Sequence, residues 1–470
     1  MAVFSIIKLS ELEGAKRIDA EYYKPELMFI NEILKKREII EIGKVADVVD
    51  GPFGSSLHAE NYVEKGIPFL RVHNVTEEGL LNLSDLVFIR EEDHERLKSS
   101  EALPGDVIIT KTGWIGFATV ITDDIKKCNY RADLAKIRLR TTTRLDPYFV
   151  AMFLNSKYGR LQTKRLMSGA RGDRILAINI KTIVIPYLNN KIQKEIRYIY
   201  SLAIEQYKNS ITLYSQAENL LLEELGLKDF KPKYEKTYIA NLSDAFTAHR
   251  IDAEYFQPAY EEVIEKIKNY KNGFVPLLKP VENVKPDFDP TKYPDKIFSY
   301  VELADIDSSI GVIHSVNEIK GEEAPSRARR LLKEGDVIVS SVEGSLEKVA
   351  LVDKEHDGCL ASTGFFQFRP LDILPEVLLV LSKTIILQSQ LKKRCSGTIL
   401  TAVPKESLKD IIIPIFPLSI QQKIASLVQQ SHKARRKAKE LLEIAKRAVE
   451  IAIEESEEKA QEYIQKKVKS

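Results

Sequence analysis

The chain has 470 residues, 44% apolar and 29% charged, with a formal net charge of +2. Three cysteines, Cys128, Cys359 and Cys395, lie far apart with no CxxC pair or histidine cluster, which excludes a disulfide framework and a zinc site and fits a reducing cytoplasm. No apolar run reaches membrane-spanning length, and the near-neutral charge leaves nucleic-acid binding to depend on where basic residues cluster.

The first forty residues hold a short apolar run, Val3 to Ile7, then the block RIDAEYYKP, Arg17 to Pro25. Pro25 suits a first helical turn, and Leu27, Ile30, Ile33 and Leu34 continue at helical spacing. From Glu41 to Arg140 short β-branched runs alternate with turn residues: Val45 to Val49, Ile67 to Val75, Val107 to Thr110, Phe117 to Ile121 and Lys136 to Leu139. One helix is predicted over Pro147 to Met167 and a closing strand over Thr182 to Pro186. From Asn190 to Leu225 the apolar spacing is strictly helical, through Ile192, Ile196, Ile199, Ala203, Leu213, Ala217 and Leu220. Asn190 with Gln193 suggests a capping box, and Gly226 a left-handed stop. About 36 helical residues at ~1.5 Å each span ~54 Å, a length that calls for a partner helix.

Lys228 to Lys236 reads as a polar linker, after which the plan recurs. A helix runs to about Lys268. Strand-like runs cover Ile297 to Ile306, Val337 to Ser341, Val349 to Val352 and Phe365 to Phe368. A helix follows over Glu376 to Lys393, then a strand over Asp410 to Pro414. A second long helix begins at Ser419, with Gln422 as a further capping box. Its seam is Ile420, Ile424, Leu427, Ala434, Ala438, Leu441, Ala445, Ala448 and Ala452, and fraying is expected after Glu455.

The recurrence is an internal duplication. RIDAEYFQP, Arg250 to Pro258, repeats the first block at a shift of 233 residues. Leu9-Ser10 returns as Leu242-Ser243, Gly105-Asp106-Val107-Ile108 as Gly335-Asp336-Val337-Ile338, and Ser168-Gly169 as Ser396-Gly397. Ile185-Pro186 returns as Ile413-Pro414 and Ile192-Gln193 as Ile420-Gln421. Two similar units therefore share one chain.

No catalytic constellation accompanies them. Gly51 to Ser55 and Gly113 to Gly116 lack the lysine and spacing of a phosphate-binding loop. Asp146-Pro147-Tyr148-Phe149 lacks the second proline of an adenine-methyltransferase box and reads as a helix start. Pro286-Asp287 with Glu318-Ile319-Lys320 is too loose for a nuclease. Charge placement is more informative. Arg160, Lys164, Arg165, Arg171 and Arg174 cluster in the first unit, Lys392, Lys393, Arg394 and Lys405 at the matching place in the second, and Arg327, Arg329, Arg330 and Lys333 form a further run. Charge runs usually form solvated faces, but recurrence in both units favours phosphate anchoring. The run His432 to Lys439 falls on the second long helix, where a solvated face is the simpler reading.

The ordered set of RIDAEY blocks, Ile-Pro globule ends and Ile-Gln helix entries resembles the specificity subunit of type I restriction–modification systems over nearly the whole length. The resemblance implies an α+β chain with two mostly-β target recognition domains, separated and followed by long helices that form an antiparallel coiled coil, in a pseudo-two-fold repeat. The expected boundaries are recognition domains at 1–188 and 237–416, spacer helices at 189–227 and 417–470, and a linker at 228–236. It implies a non-catalytic subunit of the cytoplasm that needs no cofactor or metal. Its partners would be double-stranded DNA, two methyltransferase subunits and restriction/translocase subunits. Expected DNA contacts, drawn from charge and loop position, are Arg71, Asn74, Lys111, Arg131, Lys164, Arg165, Arg171 and Arg174 in the first unit. In the second they are Arg327, Arg329, Arg330, Ser341, Lys392, Lys393, Arg394 and Lys405. Asn129-Tyr130-Arg131 faces Leu360-Ala361-Ser362 across the repeat, so different half-sites are expected. Alternatives are service to a fused methyltransferase–nuclease, a coiled-coil scaffold for proteins, and an enzyme acting alone.

Overall fold

A computed structural model describes residues 6–10, 12, 18–53, 56–167, 174–397 and 401–468. The chain forms two compact units, Met1–Gln206 with Arg436–Ser470, and Tyr207–Arg435. It is a mixed α+β protein, as the sequence pattern requires.

In the first unit, strands Ala46–Asp50, Leu134–Leu139, Val107–Thr110 and Ala118–Val120 make a four-stranded antiparallel sheet in that order. Val107, Ile108 and Ile109 are successive yet all fully buried, because both faces of this central strand are covered. A second sheet places Ile67–Leu70 between Val87–Ile89 (antiparallel) and Asn129–Tyr130 (parallel). Ile39–Glu41 pairs with Val184–Pro186 to close the unit.

The second unit repeats this frame. Val281–Asn283, Phe365–Pro370, Val337–Ser340 and Val349–Leu351 form its antiparallel sheet. Asn317–Lys320, Ile297–Val301, Leu360–Ser362 and Ala328–Leu331 form the second sheet, again with one parallel pair, Tyr300–Val301 beside Leu360–Ala361. Phe274–Pro276 pairs with Ile412–Pro414.

The repeated residues hold that frame. Asp106 is buried, accepts from the Leu103 N–H at 2.7 Å and is gripped by Arg138 at 2.6 and 2.8 Å. Asp336 accepts from the Lys333 N–H at 3.0 Å and from Arg369 at 2.9 Å twice. Gly105 and Gly335, with φ of 88° and 87°, supply the turn that brings each aspartate round. Gln193 accepts from the Asp146 N–H and donates to Leu188 O, and Gln421 does the same with Leu374 and Phe416. These glutamines tie each long helix to its own globule.

The first long helix, Asn190–Glu224, ends at Gly226 in the left-handed region, φ 64°. Its cap is Asn189, which accepts from the Ile192 N–H at 3.0 Å, and Gln193 turns to the globule instead of closing a box with Asn190. The seam also shifts by one residue in its second half: Tyr214 and Leu221 are fully buried, and Leu213 and Leu220 only half-buried. Tyrosine, which a purely aliphatic reading passes over, carries the buried face there. The second long helix, Leu418–Glu454, does not simply fray, because Glu457–Val468 is helical and buries Ala460 and Ile464. Gln421, not Gln422, makes the bond at its start. In the second unit the contacts Tyr207–Arg435 and Ser210–Ser431 advance in opposite senses, so the two long helices run antiparallel there.

Both predicted single helices are broken pairs. Pro147–Asn155 and Lys157–Leu166 meet at extended Ser156, and Pro375–Lys383 and Ile385–Arg394 at extended Thr384. The hydroxyls of Ser156 and Thr384 bond back to Phe153 O and Leu381 O and stabilise the corners. A Cβ at Gly159 would lie 2.3 Å from Phe153 O, so the first corner needs a glycine.

Candidate nucleic-acid interface

Parallel pairing brings the ends of the Ile67–Leu70 and Asn129–Tyr130 strands together, so Arg71 and Arg131 start neighbouring loops. The Arg131 N–H donates to Leu70 O at 2.9 Å, Lys111 N–H to Asp133 O at 2.7 Å and Ile175 N–H to Lys111 O at 3.0 Å. Arg71, Lys111, Arg131 and Arg174 thus come from one loop cluster, although they are spread over a hundred residues. The second unit has the same lattice: Ser341 N–H to Gly364 O and Val403 N–H to Ser341 O, both at 2.8 Å.

Many of the expected contacts are occupied inside the fold. Asn74 is buried, accepts from the Arg71 N–H at 2.7 Å and donates to Asn82 O at 2.9 Å. Arg71 is drawn to Asp85 at 2.9 Å. Lys111 is buried, pairs with Asp50 and donates to Ala132 O at 3.1 Å. Ser341 is buried and donates to Gly364 O at 2.9 Å. Arg327–Arg330 overlaps strand Ala328–Leu331, which alternates: Arg327 is exposed, Arg329 pairs with Asp289 at 2.7 Å, and Arg330 is buried, donating to Val284 O at 2.7 Å. Burial pushes Arg330 down to about 10. Arg394 donates to Gln390 O and Asp410 O, and burial lowers it too.

Two other candidates serve the repeated block. Arg165 lies 4.1 Å over the Tyr22 ring and donates to Tyr22 O at 3.1 Å. Lys393 lies 4.9 Å over the Tyr255 ring and pairs with Glu261. Within the block Asp19 and Asp252 cap short turns through the Tyr22 and Tyr255 N–H groups, and the tyrosines pack on helices Lys157–Leu166 and Ile385–Arg394. The run at His432 is also not simply solvated: His432 contacts Ile310 O at 2.9 Å, and Arg435 pairs with Asp307 at 2.6 Å.

Among the described candidates Arg131, Lys164, Arg174, Arg327, Lys392 and Lys405 remain exposed, while Arg171 lies outside the described residues. The sequence reading overlooked Phe53, 69% exposed, and Trp114, 36% exposed, which flank the same loops of the first unit. Their position beside Gly51, Gly113 and Gly116 was the available signal.

One possible metal trio occurs among the described residues, Glu91, His94 and Glu95, with ligand atoms within 4.8 Å. His94 Nδ1 engages Asn129 at 2.6 Å, and Lys98 Nζ lies 3.3 Å from Nε2 and from Glu95. An ammonium thus already supplies the positive charge. No helix among the described residues is long and apolar enough to cross a membrane.

The duplicated β frame thus carries exposed cations in both of its units. Residues 263–445 match the family model for the type I restriction modification DNA specificity domain. No curated protein matches the chain. Similar solved structures include a type I restriction-modification system S subunit from M. genitalium, at 15% identity, covering 89% of this chain and 95% of that one, TM-score 0.40. An HsdS subunit from Thermoanaerobacter tengcongensis matches at 14% identity over 89% of this chain and 97% of that one, TM-score 0.30. A structure titled for complex assembly and conformational transition of the type I R-M system matches at 14% over 91% and 96%, TM-score 0.28.

Proposed function

We propose that the chain is the DNA-recognition subunit of a type I restriction–modification complex and catalyses no reaction itself. Each recognition domain, 1–188 and 237–416, reads one half of a bipartite, asymmetric site. The helices at 189–227 and 417–470 pair as a coiled coil, set the gap and help dock two methyltransferase subunits, which restriction/translocase subunits join in the cytoplasm. The observation that carries this reading is the specificity-domain match over 263–445, in a chain whose first unit repeats the same sheet frame. Different exposed loop residues on that shared frame support different half-sites. The test is to map methylated bases in cells expressing this chain with its neighbouring methyltransferase gene. A two-part motif with a fixed gap is expected; methylation at a short contiguous site, or motif-free methylation, would overturn the proposal.

A further inference from the structure

The two units differ most informatively where their frames superpose residue for residue. Leu70 pairs with Tyr130 in parallel, and Val301 with Ala361, so Arg131 and Ser362 occupy the same position, one residue after the parallel pair. Lys111 N–H bonds to Asp133 O, and Ser341 N–H to Gly364 O, so Asp133 and Gly364 also correspond. The second unit has no side chain beyond the backbone at Gly364, and Ser362 is buried, accepting from the Gly364 N–H at 3.1 Å. The first unit builds something at this place. Arg131 is 50% exposed, and its Nε lies 3.3 Å from Asp133 Oδ2. Thr112 Oγ1 donates to Asp133 Oδ1 at 2.9 Å, and the Asp133 backbone is held by Lys111.

That chain of contacts has a chemical meaning. A carboxylate that holds a guanidinium at Nε leaves the outer Nη edge of the fork pointing away from it. Two parallel donors on a fixed plane match the O6 and N7 acceptors of guanine in the major groove. Lys164 is a flexible ammonium near Glu26 at 3.8 Å, and Arg329 is committed end-on to Asp289 through Nη1. Neither has the aimed fork that base reading requires. Resting on the recognition reading above, we propose that Arg131 reads a guanine in the half-site of the first unit, with Thr112 and Asp133 as positioning residues. The second unit, with Ser362 and Gly364, does not use this contact, so the two half-sites are read by different chemistry on one frame.

The test uses the full chain with its methyltransferase partner. The methylated motif is mapped first, and binding is then measured on duplexes carrying every single base-pair change in both halves. Arg131→Ala should lose roughly 5- to 150-fold discrimination at one G·C pair of one half, with the other half unchanged. Arg131→Lys should restore part of it. Asp133→Asn should weaken discrimination at that same pair, because the guanidinium is no longer held. Uniform weakening on all duplexes would make Arg131 a phosphate contact and overturn the assignment, as would unchanged discrimination in both halves. A parent chain with no two-part motif would overturn the recognition reading, and the Arg131 assignment with it; a two-part motif that Arg131→Ala leaves intact overturns the assignment alone.

Discussion

Arg435 lies on the second long helix and donates through Nη2 to Asp307 Oδ2 at 2.6 Å and Ser309 Oγ at 2.9 Å, with its guanidinium 3.9 Å over the Tyr207 ring. Both members of the ion pair are largely out of water, 16% and 14% exposed. Burial alone would raise the Asp307 carboxyl, but Arg435 and two bonds from Ser309 outweigh it and hold the group below its ordinary range. Removing one partner strands a buried charge, at a cost of ~3–5 kcal/mol. Arg435→Ala should therefore destabilise the second unit by about that much. Asp307→Asn combined with Arg435→Met removes both charges and should cost far less than the single change, within ~1 kcal/mol of the parent. The only tryptophan, Trp114, sits in the first unit, so its fluorescence does not follow this event. Amide hydrogen exchange over residues 418–435 does, and exchange there should speed up roughly 150- to 4,000-fold in the single variant. A folded pKa below the unfolded one means that the stabilisation is complete above the unfolded value and is lost as pH falls through the folded value. The parent should accordingly keep this contribution as pH is lowered and lose it only in strong acid. In Arg435→Ala the stranded Asp307 carboxyl is raised by burial and takes up a proton sooner, so the difference between the two should already narrow as pH falls from neutral. A single variant less than tenfold faster, or a double variant as damaged as the single, would refute the reasoning.

Asp252→Ala removes the cap on the Tyr255 N–H and the bidentate partner of Arg250, whose bond holds the Asp252 carboxyl below its ordinary range. It should cost ~1 kcal/mol of thermal stability and leave sequence preference unchanged, as calorimetry and competition binding would show. Burial pushes the Cys128 thiol up to about 12, so iodoacetamide at pH 8 should leave it unmodified in folded protein and alkylate it once urea unfolds the chain. Alanine at the exposed Lys164, Arg174, Lys392 or Lys405 should weaken binding to all sequences alike. Each lost phosphate contact should lower the slope of log affinity against log salt by ~0.9, measured by titration at several salt concentrations.

The long helices, the glycine stop of the first and the duplication were legible because periodicity and identity need no tertiary knowledge. The basic clusters were less so. Counting charge cannot show that Arg330 falls on the inward face of a strand, or that Arg165 and Lys393 lie on the tyrosines of the repeated blocks. The helix corners at Ser156 and Thr384 carry neither proline nor a flanking glycine stop, and packing alone reveals them. Asp106 and Asp336 read as surface turn residues until their arginine partners, more than thirty residues on, are placed against them. Arg131 was named from its loop, but its support by Asp133 and Thr112 depends on strand pairing that no local pattern encodes.

The central claim is one half-site per unit, and truncation tests it most directly. The first unit includes residues 436–470, which hold the end of the second long helix and the helix Glu457–Val468. Under the repeat shift of 228 residues, positions 436–452 correspond to 208–224, which the fragment 1–232 retains. A second copy of that fragment can therefore supply the missing helix, and burying the seam from Ile192 to Leu221 drives the pairing. Methylated bases should be mapped in cells carrying 1–232 and the methyltransferase partner, alongside sedimentation of the fragment. The account predicts a dimer that directs methylation to a palindrome built from the first half-site alone. A monomer, or a dimer that still requires the asymmetric parental site, would contradict it.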